Sequence, residues 1–358
     1  MSIRDVAAKA GVSLGTVSKA FDDNAKVSPH TRERIRLAAT ELGYHPSAVA
    51  RAMVRKRMDT VGVIFPPNFA APSRPAFYST IFDALLEAAM IRHKDISLCT
   101  GRLWVDATTS LSRFRDGRCD GFITFWQPAG SDLIPALLDA DVPVVLLNDR
   151  GSDPRLSYVD IDSVASAHAM TRHLLDLGHR RIALLCGDKP VSTVVPREEG
   201  YRAALEEASV AYDSALNLPG TFEPRSIESR IDTLLDLPPA QRPTALFCTT
   251  DSIALVALRV LRQKNLRVPE DISVAGHDDL PGVALEHPAL TTMRQPFGTI
   301  AGHALDLLVS QERDISARGT QLLLPAELVV RASTAPPLIT TSLKATAPLH
   351  SENKEVNE

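Results

Sequence analysis

The sequence predicts two architectures in series: a small all-α helix-turn-helix head, then an α/β core of two doubly wound parallel sheets. Three observations lead there. Residues 2–43 hold three short helical segments, each opened by a capping Ser, and Gly closes the first and the third. From residue 61, short apolar runs alternate with amphipathic helices, the rhythm of parallel strands covered on both faces. That rhythm restarts near residue 160 and is too long for one sheet, so two lobes are the economical solution.

In the head, Ser2 caps a helix in which Ile3, Val6, Ala7 and Ala10 recur on one face, and Asp5 is spaced to close a capping box. Gly11 stops that helix, because it turns through positive φ without a Cβ penalty. Ser13 caps a second helix at once, with Val17 and Ala20 facing inward. Two helices joined this tightly cross steeply and project the start of the second one, so Leu14, Gly15, Thr16, Ser18 and Lys19 form an exposed edge. Ser28 and Pro29 open a third helix, whose inner face is Ile35, Ala38, Ala39 and Leu42, and Gly43 ends it. Residues 1–45 therefore read as a DNA-binding head. Tyr44-His45-Pro46-Ser47 breaks the chain, and Ala48 to Met53 has helical composition but lies well under the roughly 12 residues an isolated helix needs. With Arg55, Lys56 and Arg57 behind it, 46–60 reads as a hinge that is helical only when docked, and as a linker.

In the core, VGVIFP, ISLCT, GFITFW and VPVVLL read as strands, with YSTIFDALLEAA and LIPALLDA as helices. Beyond residue 160, RIALLCG, TALFCTT and ISVAGH are strands, and 164–177, GYRAALEEA and SIALVALRVLRQKN are helices. The segment 336–358, rich in Thr, Ala, Pro, Lys and Glu, has the composition of a disordered tail, and it lacks the Leu heptads of a tetramerising coiled coil.

Composition narrows the partners. Of 358 residues, 44% are hydrophobic and 23% charged, ordinary for a chain that buries cores. The net charge of −4 conceals an asymmetry: residues 1–58 hold 11 basic and 5 acidic residues, the remainder 28 basic and 38 acidic. Only the head is suited to a polyanion. Cys99, Cys119, Cys186 and Cys248 are widely spaced, without CxxC pairs, and read as buried free thiols. No apolar run approaches the roughly 18 residues of a membrane span, and the opening residues read as a helix cap and not as a signal peptide, which points to a reducing cytoplasm.

Catalytic motifs find little support. GVSLG at 11–15 has the spacing of a nucleophile elbow, but a helix precedes it where that motif needs a strand. Glycine-rich phosphate loops are absent, and His277-Asp278-Asp279 has no second His at ligand spacing, so no metal or cofactor is expected. Asp278 and Asp279 follow ISVAGH, at the strand ends where open α/β sheets take ligands; a carboxylate there caps a helix or accepts from ligand hydroxyls or amines. Asp251, after TALFCTT, has the same two readings. Arg197, in a loop before a helix, either pairs with Glu198 or Glu199 or forks onto a ligand.

The run IRDVAAKAGVSLGTVSKAF, then VSPHTRERI, then ELGYHPSAVARAM resembles the head of the lactose-repressor/galactose-repressor (LacI/GalR) family of bacterial transcription regulators. The resemblance extends through most of the chain. It implies a periplasmic-binding-protein-like core over 61–335, in which crossing segments build lobe 1 from about 61–160 plus 291–320 and lobe 2 from about 161–290 plus 321–335. It also implies a homodimer on a near-palindromic operator, repressing transcription under control of a small effector held between the lobes. The family's DNA-facing positions fall on Ser2, Ser13, Leu14, Gly15, Thr16, Ser18, Lys19, Ser28, Thr31, Tyr44, Ser47, Ala50, Arg51 and Met53. Met53 stands where the family's minor-groove wedge is usually Leu. Leu14 would meet a thymine methyl, and Lys19 a guanine or a phosphate. The effector-binding positions fall on Phe77, Tyr78, Arg197, Phe222, Asp251 and Asp278, with core filling as the other reading of the aromatics. His277 and Thr250 depart from the family, which more often carries an aromatic and Asn there. Val191, which offers no hydrogen bond where nucleobase-binding relatives carry polar residues, tilts the expected effector towards a sugar. Asp149-Arg150 is expected to hold its lobe together. The rival is a solute-binding protein or sugar-processing enzyme with the same core; the first needs a signal peptide, the second a nucleophile or an acid–base pair.

Overall fold

In the head, each helix starts where a side chain satisfies an otherwise orphaned backbone N–H. The computed structural model describes residues 1–21, 25–45, 57–65, 75–99, 107–125, 131–187 and 193–338. Asp5 accepts from the Ser2 N–H at 2.7 Å and the Ser2 hydroxyl at 3.0 Å, opening α1 (Ile3–Ala10), and Gly11 ends it at φ 61°. Ser13 Oγ accepts the Thr16 N–H at 3.2 Å at the start of α2 (Leu14–Ala20). Ser28 Oγ does the same for Thr31 at the start of α3 (Pro29–Glu41). The buried core is Val6, Ala7, Ala10, Val17, Ala20, Ile35, Ala38 and Ala39, whereas Leu42, expected inside, is half-buried at its rim. Arg32 reinforces this small core, donating from Nη1 to the Ala20 carbonyl at 2.6 Å and from Nη2 to the Ala25 carbonyl at 3.0 Å.

The core follows as β1 (Thr60–Ile64), α4 (Pro75–Ile91), β2 (Asp95–Cys99), α5 (Ala107–Phe114), β3 (Gly121–Phe125), α6 (Leu133–Asp139), β4 (Val144–Leu147) and β5 (Ser157–Ile161). Next come α7 (Ser163–Asp176), β6 (Ile182–Leu185), α8 (Val194–Glu207), β7 (Asn217–Leu218), α9 (Pro224–Leu235), β8 (Ala245–Cys248), α10 (Asp251–Gln263) and β9 (Ser273–Ala275). The described chain ends with β10 (Thr292–Arg294), α11 (Phe297–Arg313), β11 (Gln321–Leu324) and β12 (Glu327–Val329). It divides into two units, residues 1–163, 189–196 and 295–327 in the first, residues 164–188, 197–294 and 328–358 in the second.

The first lobe is a six-stranded parallel sheet ordered β11-β5-β4-β3-β1-β2. Its central strands β1, β3 and β4 are largely apolar and buried, as expected where both faces are covered, whereas the edge strands β2 and β11 are partly exposed. α4 packs with α11, and α5 with α6. Two expectations are corrected. LLLP was placed in lobe 2, but β11 pairs with β5 of lobe 1, and Thr292–Arg294 belongs to the second unit. SYVDI at 157–161, unanticipated as a strand, is fully buried: Arg150 Nε reaches Asp160 at 2.9 Å and its Nη2 reaches the Ile161 carbonyl at 3.0 Å, so a polar sequence survives inside. Arg150 thus ties β5 to the chain after β4. The second lobe is a parallel sheet ordered β7-β6-β8-β9, and β10 pairs with β12.

All four cysteines are free; Cys186 and Cys248 are buried as expected, but Cys99 and Cys119 only half-buried. Among the described residues no helix is long and apolar enough to cross a membrane, and no group of three or more His, Cys, Asp or Glu is placed to hold a metal. The hinge positions Ser47, Ala50, Arg51 and Met53, together with Val191 and the segment 339–358, lie outside the described residues.

Hydrogen bonds from a charged group are worth about 1.5–3 kcal/mol, so Arg32→Met, which keeps the stem and removes the donors, should loosen the head. The expected result is amide exchange at Val17 and Ala20 at least about tenfold faster, with protection in the core strands unchanged.

Candidate DNA-reading edge and strand-end sites

The start of α2 presents Leu14, 44% exposed, beside exposed Gly15 and Lys19, with Thr16 and Ser18 half-buried. A Cβ on Gly15 would meet only Ser13 Oγ at 3.9 Å, so the edge is bare there by sequence and not by packing. The capping hydroxyls are paired, Ser13 with Thr16 at 2.9 Å and Ser28 with Thr31 at 2.8 Å. Tyr44, half-buried, sits against Phe21 with ring centroids 6.2 Å apart. Ser13 opens a helix directly after the Gly11 turn, which disposes of the nucleophile-elbow reading.

In the first lobe, Phe77 and Tyr78 occupy the first turn of α4. Tyr78 is buried, edge-on to Phe65 and to Phe125 at 6.0 Å each, and Phe65 stacks on Phe125 at 5.1 Å. Phe77 is half-buried, 5.7 Å from Phe297 at the start of α11. Phe65 and Phe125 follow or end their strands, so this aromatic cluster marks the carboxyl edge of the sheet. Sequence reasoning missed Phe65, Phe125 and Phe297, whose only signal was their place at element ends.

In the second lobe, Arg197 lies in the first turn of α8, not in a preceding loop, and is 3% exposed. Its Nη1 donates to the Thr249 carbonyl just beyond β8. The anticipated pairing with Glu198 is taken instead by Arg202, at 2.6 Å. The residues after Arg197 explain its position. A Cβ on Gly200 would lie 2.1 Å from the Val164 carbonyl oxygen, so glycine lets α8 approach the α7 backbone. The Tyr201 hydroxyl donates to the Ile182 carbonyl at 2.8 Å. Phe222 is buried with its ring over Gly187, where a Cβ would come within 2.1 Å.

Thr250, not Asp251, caps α10, accepting the Ile253 N–H at 3.3 Å. Asp251 is fully buried: Oδ2 accepts the Leu280 N–H at 2.8 Å and Oδ1 the Thr292 hydroxyl at 2.6 Å. A Cβ on Gly276 would lie 2.3 Å from Asp251 Oδ1, so the glycine leaves room for the carboxylate. Burial, then the charge of nearby Asp278, pushes the Asp251 carboxyl up to about 7.

Asp278 is 2% exposed and stands at φ 130°, a conformation that costs a non-Gly residue about 1–3 kcal/mol. Its N–H donates to the Met293 carbonyl at 2.8 Å. Asp278 Oδ1 is 3.2 Å from His277 Nδ1, and His277 Nε2 is 3.0 Å from Ser166 Oγ. Burial, with Arg197 adding to it, holds the His277 imidazole well below its usual range, so the ring is neutral. Asp279 differs, its carboxylate clamped by Arg294 Nε and Arg331 Nη2, both at 2.7 Å. Gly187, Thr249 and His277-Asp278 thus follow the adjacent strands β6, β8 and β9, the edge where open parallel sheets hold ligands.

A helix-turn-helix head ahead of two parallel α/β lobes with polar groups gathered at strand ends defines a class: DNA-binding regulators with a sensing core. The comparisons agree. Residues 2–47 match the model for bacterial regulatory proteins of the lacI family, and residues 171–334 match that for a periplasmic binding protein-like domain. The chain is 35% identical to the HTH-type transcriptional regulator CelR of Thermobifida fusca, over 92% of this chain and 96% of the relative. It is 30% identical to the HTH-type transcriptional repressor PurR of Vibrio atlanticus, over 87% and 92%. Among solved structures, a CelR–cellobiose complex superposes with a TM-score of 0.70 at 32% identity, covering 93% and 99% of the two chains. The lac repressor dimer bound to operator and the anti-inducer ONPF gives 0.78 at 26% identity, covering 94% and 99%. The chain belongs to the LacI family of bacterial regulatory proteins and is a DNA-binding transcriptional regulator.

Two outcomes follow from the second lobe. Gly200→Ala should push α8 off α7 and destabilise the lobe by about 1–3 kcal/mol, read by urea unfolding. The folded carboxyl of Asp251, at about 7, stands above its unfolded value of roughly 3.9. Its contribution is fully present below pH ~4 and is lost as pH rises towards 7. In Asp251→Asn that component of the slope disappears, so melting temperature should fall less between pH 5 and pH 8 than in the wild type; equal falls would refute the assignment.

Proposed function

We propose that two copies of this chain pair, set their heads on successive half-sites of a near-palindromic operator and repress transcription there, with a saccharide-like effector altering the grip. A two-fold dimer matches a two-fold site, and the dimeric lac repressor on its operator is a structure this chain resembles. Operator DNA places the protein with the chromosome, in the cytoplasm. On this reading Leu14 meets a thymine methyl, Lys19 reaches a guanine, and the hydroxyls of Ser13, Thr16, Ser18, Ser28 and Thr31 face phosphates, with Ser2 and Tyr44 beside them. Ser47, Ala50, Arg51 and Met53 take the hinge roles.

The effector half rests on one observation: Arg197 and Asp278 are both buried and held by neighbours at the carboxyl ends of adjacent parallel strands. Related regulators have been solved with cellobiose and with ribose, which favours a sugar. Aromatic rings suit a pyranose face, and half-buried Phe77 in the first lobe is the candidate the packing leaves most open, Tyr78 and Phe222 being buried in their own lobes. Asp251 takes a positioning role, since both its oxygens are engaged by the loop that carries Asp278 and by Thr292. A ligand moves the equilibrium only through its different affinities for the two operator-binding states. The relatives are transcriptional regulators, which favours this reading over a solute-binding or enzymatic one.

Fluorescence anisotropy with a panel of operator variants, with and without cellobiose, tests both halves. Lys19→Ala should lose affinity mainly on duplexes carrying guanine at one position per half-site, by about 1–3 kcal/mol. A uniform loss over all sequences would assign Lys19 to phosphate. Equal affinity of the wild type for every duplex, unmoved by any saccharide, would end the proposal.

A further inference from the structure

We propose that His277 is a positioning residue whose Nδ1–H orients the Asp278 carboxylate towards the effector, with Ser166 selecting the tautomer that makes this possible. This rests on the reading of Asp278 as an effector contact. A neutral imidazole has one donor and one acceptor, and a carboxylate accepts only. Nδ1 lies 3.2 Å from Asp278 Oδ1, so that nitrogen carries the proton. Nε2, 3.0 Å from Ser166 Oγ, is then the acceptor and the serine hydroxyl donates. His277 is fully buried, so neither nitrogen exchanges its partner for water.

The Asp278 N–H bond to Met293 fixes the main chain at φ 130° but not rotation about the side-chain bonds. His277 adds a restraint on the side chain itself, and a neutral ring does so without bringing a counter-charge. Asp279, one residue on, is instead clamped by two guanidinium groups. Two consecutive aspartates are thus assigned opposite tasks by their partners. Asp279 anchors β10 and the chain after β12, while Asp278 is kept as an oriented acceptor for the hydroxyl groups of a saccharide.

The array Ser166–His277–Asp278 has the hydrogen-bond order of a hydrolase relay. It works here in the opposite sense. Ser166 is itself buried on α7, so the serine serves the aspartate and not the reverse.

The experiment uses the full chain. Isothermal titration with cellobiose compares wild type, His277→Phe, His277→Asn, Ser166→Ala and Asp278→Asn. His277→Phe, which keeps a ring but removes the donor, should weaken binding about tenfold or more, since a hydrogen bond to a charged group is lost. His277→Asn places an amide N–H near the Nδ1 position and should recover affinity to within about threefold of wild type; packing alone would predict the reverse order. Ser166→Ala should fall between the two. If Asp278→Asn binds cellobiose as wild type does, the site reading fails and takes this proposal with it. If Asp278→Asn is weak while His277→Phe binds normally, only the role of His277 is overturned. A second readout needs no sugar: nitrogen-15 NMR of labelled histidine, assigned by the signals lost in His277→Asn, should show protonated Nδ1 and bare Nε2. The opposite tautomer overturns the proposal.

Discussion

The strand-end edge of the second lobe depends on a carboxylate with no access to water. Asp251 holds the Leu280 N–H with one oxygen and the Thr292 hydroxyl with the other, fastening the loop after β9 and the strand β10 to the start of α10. Burying such a group is unfavourable unless its lone pairs are used, and here they are. The arrangement makes the strand ends one mechanical piece. Thr250 caps the helix, Asp251 ties the loop, and the Asp251 N–H donates to the His277 carbonyl at 2.7 Å. Asp278 can tolerate an unfavourable φ because so much around it is already fixed.

The head solves a different problem. Its fully buried core is eight side chains, five of them alanine, with Ile3, Val12, Phe21, Val27, Leu42 and Tyr44 packed against it, a small core for three short helices. Capping serines, the Asp5 box and the Arg32 staple add to it locally. Because those devices lie at helix ends, they also fix the attitude of α2, so the exposed Leu14–Lys19 edge is presented rigidly. Base reading needs that rigidity, since a donor misplaced by an ångström discriminates little.

Much of this was legible because it is local. A capping Ser with Pro or Asp behind it, or an apolar run of strand length, carries its meaning within a few residues. What failed was non-local. SYVDI reads as polar until Arg150, seven residues earlier, is known to meet Asp160. The assignment of 321–324 to the wrong lobe came from a chain that crosses between units, where periodicity says nothing about which sheet a strand joins. Arg197, expected in a loop before a helix, lies inside α8: the helix starts at Val194, and Pro is well suited to a first turn. The strand-end position of Asp278 was readable from ISVAGH; its hydrogen bond to His277, and that of His277 to Ser166 more than a hundred residues away, was not.

Where the described chain enters the first lobe, it is held from two sides. Arg57 Nη2 donates to the Glu312 carbonyl at 3.3 Å, and the Met58 N–H donates to Asp120 Oδ1 at 2.7 Å. Lys94 Nζ, nearly buried, sits 2.7 Å from Glu312 Oε2 and 3.3 Å from Asp120 Oδ2. A buried ion cluster of this kind adds little net stability, but its partners cannot be exchanged without leaving a charge uncompensated. Residues 57 and 58 are therefore fixed to α11 and to the start of β3, with little slack between them.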